Sequence, residues 1–235
     1  MGNENWENMF VSKVMRTNLG QCNSLPRYYL ILAEELEAEA NLALAPNHSY
    51  IVFKNDEGHL KNIELSSKMI TTNAFVSNSA FINANALANK LYMQPLDKRQ
   101  LLSKHYVDLT LGYISKYGYS PIVAEMLNKA LEIDKNNISA KRLSINYAIV
   151  NLEYIMHQYG ISKEEIQKIQ HIPQAMELYN SIVEKSKEID RLGYKPMPKE
   201  LYEKWLKSLD NFKNKQQTKK EIKQLEIKMI KTIKD

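Results

Sequence analysis

Cys22 is the only cysteine in the 235 residues, and it sits two residues after Gly20, just ahead of a stretch with helical periodicity. A thiol at a helix N-terminus is favoured as thiolate, because exposed N–H groups and the positive end of the helix dipole stabilise the anion. His48 and Glu64 follow in chain order. An imidazole can accept the thiol proton and later deliver it to a leaving amine. A carboxylate on the other ring nitrogen fixes the tautomer and stabilises the imidazolium. Nucleophile, base and orienting acid are the parts of an acyl-transfer site. Each also has an ordinary reading: an inert thiol, a surface histidine in the Pro46-Asn47-His48 bend, and an outward-facing charge in Ile63-Glu64-Leu65. His59, His105, His157 and His171 have no matching partners and no metal-ligand spacing. One cysteine also excludes a multi-thiolate zinc site. No metal or cofactor is expected.

The elements around these residues are short. Leu25, Tyr28, Tyr29, Leu32, Ala33 and Leu36 follow the spacing of one buried helical face, which predicts a helix over 24–38 with Ser24 as N-cap and Pro26 in its first turn. Three strands are expected over Asn41–Ala45, Ser49–Lys54 and Leu60–Leu65, the last two joined by Asn55-Asp56-Glu57-Gly58. The register of that hairpin decides whether His48 and Glu64 share a sheet face. A four-residue loop would place Ser49 opposite Glu64 and turn the two side chains to opposite faces. A three-residue loop with Gly58 in the left-handed region pairs Asn55 with His59 and puts Tyr50 opposite Glu64, with His48 one diagonal step away. Gly58 adopts that conformation without steric cost, so the second register is predicted. The Ser-, Asn- and Thr-rich stretch from Ser66 to Asn83 reads as irregular, followed by a short helix over Ala84–Leu91.

From Pro95 onward the pattern is helical. One helix runs from Leu96 or Asp97 to about Tyr117 and another from Ser120-Pro121 to Ile133. A second pair covers Ser139–Gln158 and Pro173–Leu192, with Gly160–His171 as an extended connection, and residues 198–234 supply closing helices. Ala130-Leu131-Glu132-Ile133-Asp134-Lys135-Asn136-Asn137 resembles the end of a tetratricopeptide repeat, with Lys135 in place of the usual Pro. The resemblance implies antiparallel helix pairs with Gly112 and Ala124 near the contact and a concave face for a protein partner.

Three segments in order resemble the transglutaminase-like superfamily: Gly20-Gln21-Cys22 with its following helix, His48-Ser49-Tyr50-Ile51, and Leu60-Lys61-Asn62-Ile63-Glu64. They cover about residues 18–66. Glu37 stands where relatives usually have Gly, Leu60 where a Trp is common, and Glu64 where Asp is usual. The resemblance implies an α+β fold, with a small papain- or transglutaminase-like core over 1–94 and an all-α region over 95–235. It also implies cysteine-dependent acyl transfer on an amide or peptide through a thioester, with catalytic Cys22, His48 and Glu64. Hydrolysis is slightly favoured over transfer to an amine. The alternative is an inactive member of the superfamily that serves as a protein-interaction module. For the oxyanion, the Cys22 N–H, Gln21 and Asn18 are the candidate donors.

The net charge of +5 and pI of about 9.0 are modest. Basic residues concentrate only in the last twenty or so positions, without aromatics, so nucleic-acid binding is not expected. There Ile222, Leu225, Met229 and Ile233 sit at helical spacing, as in a terminal helix packing on the repeats. No apolar run approaches the roughly 18 residues that would span a bilayer. The polar start Met1-Gly2-Asn3-Glu4 is not a signal peptide, and a chain trimmed upstream would begin in the same way, so the compartment stays open.

Overall fold

A computed structural model describes residues 3–80 and 82–234, with side chains for 6–78, 80, 82–219, 221 and 223. It is α+β: a four-stranded antiparallel sheet in the order β1-β2-β3-β4 accompanied by many helices. A 3-10 segment, Asn3–Met9, and α1, Val11–Thr17, precede α2, Ser24–Glu35. The sheet follows as β1 (Asn41–Ala45), β2 (His48–Lys54), β3 (Leu60–Glu64) and β4 (Met69–Thr71). Then come α3 (Asn73–Ser79), α4 (Ala84–Ala88), α5 (Lys98–Tyr117), α6 (Pro121–Ile133), α7 (Ile138–Gln158), α8 (Pro173–Arg191) and α9 (Lys199–Lys234). No helix is long and apolar enough to cross a membrane among the described residues.

The β2–β3 hairpin takes the three-residue register. Lys54 pairs with Leu60, Val52 with Asn62 and Ile51 with Ile63, and continuing this ladder brings Tyr50 opposite Glu64. Gly58 has φ +77°. The Asn55 N–H donates to the His59 carbonyl at 3.0 Å, closing the turn around it. Because side chains alternate along a strand, His48, Tyr50 and Val52 share one face with Ala43, Ala45 and Met69. That face is sealed by Val76 and Ala80 of the α3 region and by Trp205 and Leu209 of α9, all in one buried cluster. The last helix thus returns across the residue 94/95 junction to cover the sheet.

Several expectations are corrected. Helix α2 ends at Glu35, not 38. Its end is a left-handed cap in which Ala38 N–H donates to Ala33 O and Glu37 N–H to Glu34 O, which satisfies two orphan carbonyls. Ser24 does not cap α2: its hydroxyl donates to Asn8 O and accepts from Gln21 N–H. The polar stretch 66–83 is not irregular throughout, since it forms β4 and α3, with Thr72 accepting from Phe75 N–H at the helix start. Lys163–His171 is a 3-10 segment and not an extended connection. Residues 199–234 are one helix where several were expected.

Residues 97–195 contain no strand. The three residues between α5 and α6 turn the chain back, and Val107, Val123, Leu127, Ala130, Ala140 and Leu143 form a core shared by α5, α6 and α7. Ala124 lies at the groove between α6, α7 and α8. Gly112 instead packs against the N-terminal segment, where an added Cβ would meet the Phe10 ring at 2.5 Å. The side chains of Ile222, Leu225, Met229 and Ile233 lie outside the described residues.

Glu37 carries the left-handed conformation, φ 53°, at the position where the sequence pattern favours Gly. A side chain there costs about 1 kcal/mol, offset in part by the greater freedom of an unfolded Gly. Glu37→Gly is therefore expected to stabilise the fold by about 0.5 kcal/mol, read as a higher urea midpoint at unchanged m-value.

Candidate active site

The β1–β2 connection is the two-residue turn Pro46-Asn47, with Asn47 at φ 57°. It sets His48 at the first position of β2, and His48 is 6% exposed, not a surface residue of the bend. Its Nε2 meets Glu64 Oε2 at 2.6 Å, and both side chains are almost wholly buried. With a carboxylate on Nε2, the ring nitrogen left for a thiol is Nδ1.

Cys22 lies in the loop just before α2, half-buried. Two contacts fix it to β2. The Ser49 hydroxyl donates to the Cys22 carbonyl, and the Ser49 backbone N–H donates to the sulfur. Burial alone pushes the Cys22 thiol up, but the hydrogen bond and charge of His48, with Ser49 and the Tyr202 hydroxyl, together hold it below the ordinary thiol value. For His48, burial opposes the charged form. The hydrogen bonds and charges of Cys22 and Glu64 overcome that and raise it to about 9. Each group thus favours the ionised form of the other, which is the condition for a thiolate–imidazolium pair. Nδ1 makes no hydrogen bond of ordinary geometry. Thiol and ring are therefore adjacent but not aligned, a looseness common in sites without substrate.

Two residues that sequence reasoning missed complete the site. Trp205 packs edge-on against the His48 ring, with centroids 4.5 Å apart, and is fully buried. Tyr202, one helical turn earlier on α9, directs its hydroxyl at the Cys22 sulfur. Burial and the thiolate charge push its pKa up, so it stays a neutral donor. The only signal for either was aromatic spacing in Leu201-Tyr202-Glu203-Lys204-Trp205, which marks a buried helix face without naming what it faces.

A buried charge cluster braces the Cys22 loop from the other side. Asp108 of α5 accepts from Arg27 of α2, from Lys104 at 2.5 Å and from Asn23 Nδ2 at 3.1 Å. Burial pushes the Asp108 carboxyl up, but the two cations win and hold it below its usual value. Asn23 follows Cys22 directly, so this cluster ties the loop to α5. Nothing in the residue pattern signals it, because a carboxylate within a helix reads as solvent-facing by default.

Cys22, His48 and Tyr202 open onto a cavity of about 480 Å³, a volume suited to a small ligand or a side chain. Of the other proposed oxyanion donors, Gln21 lies in its wall, but its backbone N–H is taken by Ser24. Asn18 is an exposed left-handed residue at the end of α1 and does not line the cavity. Among the described residues no group of acids, histidines and cysteine could hold a metal ion. In comparisons with known proteins, no family model, no curated protein and no solved structure matches this chain.

Proposed function

We propose that this protein is a transglutaminase-like cysteine enzyme that transfers the acyl group of an amide or peptide through a thioester, with water as the favoured acceptor. The observation that carries this reading is the buried Glu64–His48 hydrogen bond, which leaves Nδ1 toward Cys22 at the mouth of a cavity. The thiolate attacks the carbonyl carbon, and the C–S bond forms as the oxygen takes the negative charge. The Cys22 N–H and the Tyr202 hydroxyl are the donors this chain offers that oxyanion. Imidazolium protonates the leaving nitrogen, the C–N bond breaks, and the thioester remains. Neutral His48 then takes a proton from water as its oxygen attacks the thioester carbon, the C–S bond breaks, and the carboxylic acid leaves with the thiolate–imidazolium pair restored.

The test is alkylation of Cys22 by iodoacetamide across pH. An ordinary thiol is nearly inert below pH 7, since its pKa is about 8.5. Cys22, with its pKa lowered, is expected to react at lower pH than an ordinary thiol, and its rate should change again near pH 9 as the imidazolium loses its proton. His48→Ala should remove the low-pH reactivity. A thiol that follows the ordinary curve would instead favour the interaction-module reading. The groove of about 390 Å³ between α6, α7 and α8 would then be the surface to probe for a protein partner.

A further inference from the structure

The charges around the cavity are unbalanced. Lys104, Arg142, Lys195 and Lys199 line it, against Asp108 as the only acid among the described residues there. Asp108 is already shared between Arg27 and Lys104. Lys195 and Lys199 have partners outside the cavity, Asp190 at 3.9 Å and Glu203 at 4.0 Å. All four of those side chains are more than half exposed, so water screens these pairs.

Arg142 of α7 differs from the lysines. It has no ion pair among the described residues. It donates to the Tyr194 hydroxyl and lies over that ring, 5.6 Å from its centroid. Tyr194 is itself held in place, because its loop is pinned to the α4 region. Asn83 Nδ2 donates to Gly193 O at 2.7 Å and Asn89 Nδ2 to Leu192 O at 3.2 Å. Gly193, at φ +85°, lies so close that a Cβ would meet Ala86 N at 2.6 Å. A guanidinium has five donors in a planar fork that matches a carboxylate bidentately. Here it is oriented by a fixed aromatic partner and retains most of that capacity.

We infer that the cavity selects acyl substrates bearing a carboxylate near the scissile amide, and that Arg142 is the residue that reads it. The inference rests on the acyl-transfer reading of Cys22. Arg142 supplies the directed contact, and Lys104, Lys195 and Lys199 supply a field that draws an anion toward the thiol.

The test compares two alkylating agents of similar size on the full chain, anionic iodoacetate and neutral iodoacetamide. In both, the thiolate sulfur attacks the methylene carbon, the S–C bond forms and iodide leaves with the electron pair. The ratio of the two rates on one protein cancels its intrinsic thiol reactivity. That ratio is expected to exceed that of 2-mercaptoethanol by about tenfold at low salt and to shrink as salt rises. His48 imidazolium also favours the anion, so the deciding variant is Arg142→Gln, expected to lower the ratio about fivefold, roughly the net strength of one ordinary hydrogen bond, since Gln keeps a donor there. An unchanged ratio in Arg142→Gln would overturn the inference. Glutarate should protect Cys22 from iodoacetamide at concentrations where inorganic phosphate does not, and equal protection by phosphate would overturn the carboxylate assignment. If Cys22 reacts no faster than 2-mercaptoethanol with iodoacetamide while the Arg142-dependent ratio persists, the anion pocket stands and the catalytic reading fails.

Discussion

Glu64→Gln is expected, on the acyl-transfer reading, to slow turnover of an acidic peptide anilide by about 10³ to 10⁴-fold while leaving the fold intact. The substitution preserves size and removes the charge that faces His48 Nε2 at 2.6 Å. Gln can present its amide N–H to Nε2, which moves the ring proton to Nδ1, the nitrogen that must accept from the thiol. Loss of the orienting acid in a comparable serine triad costs about 10⁴-fold for this tautomer reason. The pH profile should change in a defined sense. Glu64 is one of the groups that hold His48 near 9, so without its charge the upper limb of the alkylation profile moves down toward the ordinary histidine range near 6.5. Glu64→Asp, which restores the charge on a shorter arm, should recover part of the rate. Rates within tenfold of the parent for Glu64→Gln would remove Glu64 from the chemistry and leave a Cys–His pair.

Asp108→Ala should cause a comparably large loss of stability. Arg27 and Lys104 are buried against this one carboxylate, with Asp108 itself 3% exposed. Removing it leaves two buried cations with no anion, which costs about 3–5 kcal/mol. For a chain of this size that corresponds to a melting temperature lower by about 6–20 °C. The sign of the pH dependence follows from the depressed Asp108 value. Its contribution is present above the unfolded carboxyl pKa of about 3.9 and is lost as pH falls through the folded value. In the parent, acid should therefore loosen the Cys22 loop. A melting temperature within 2 °C of the parent would show that the cluster does not brace it.

What the sequence revealed follows the range over which its signals act. The β2–β3 register was legible because a single residue, Gly58, settles a local turn, and the parity of a hairpin then fixes every side chain on it. That parity put His48 and Glu64 on one face, while their choice as partners came from the resemblance carried by the segments around Cys22, His48 and Glu64. The α5, α6, α7 and α8 boundaries were legible within a residue or two because Asp97, Ser120-Pro121 and Pro173 mark helix starts. By contrast, β4 is three residues long and α3 is made of Asn, Ser, Ala, Phe and Val, too short or too polar for any period to register. Tyr202, Trp205 and Asp108 were hidden for another reason. Tyr202 and Trp205 lie in a helix whose pattern says which face is buried, but not that the opposing surface is a histidine ring or a thiol, and Asp108 reads as solvent-facing within its own helix.

The return of α9 to the sheet has a consequence for how the protein acquires its chemistry. The hairpins forming β1 to β4 need only neighbouring residues and can assemble early. The helix that packs on His48 and reaches Cys22 comes from the far end of the described chain, and its Gln216 side chain bonds Ile70 O across 146 residues. Closing so long a span carries a loop-entropy cost that only the finished core repays, which makes such contacts late and slow to form. A chain whose sheet and α5–α8 are already in place, but whose α9 has not docked, would carry a solvated histidine and an ordinary thiol. On the proposed reading, nucleophilicity at Cys22 should therefore rise with the slowest refolding phase, so that topology would protect a partly folded molecule from its own thiol.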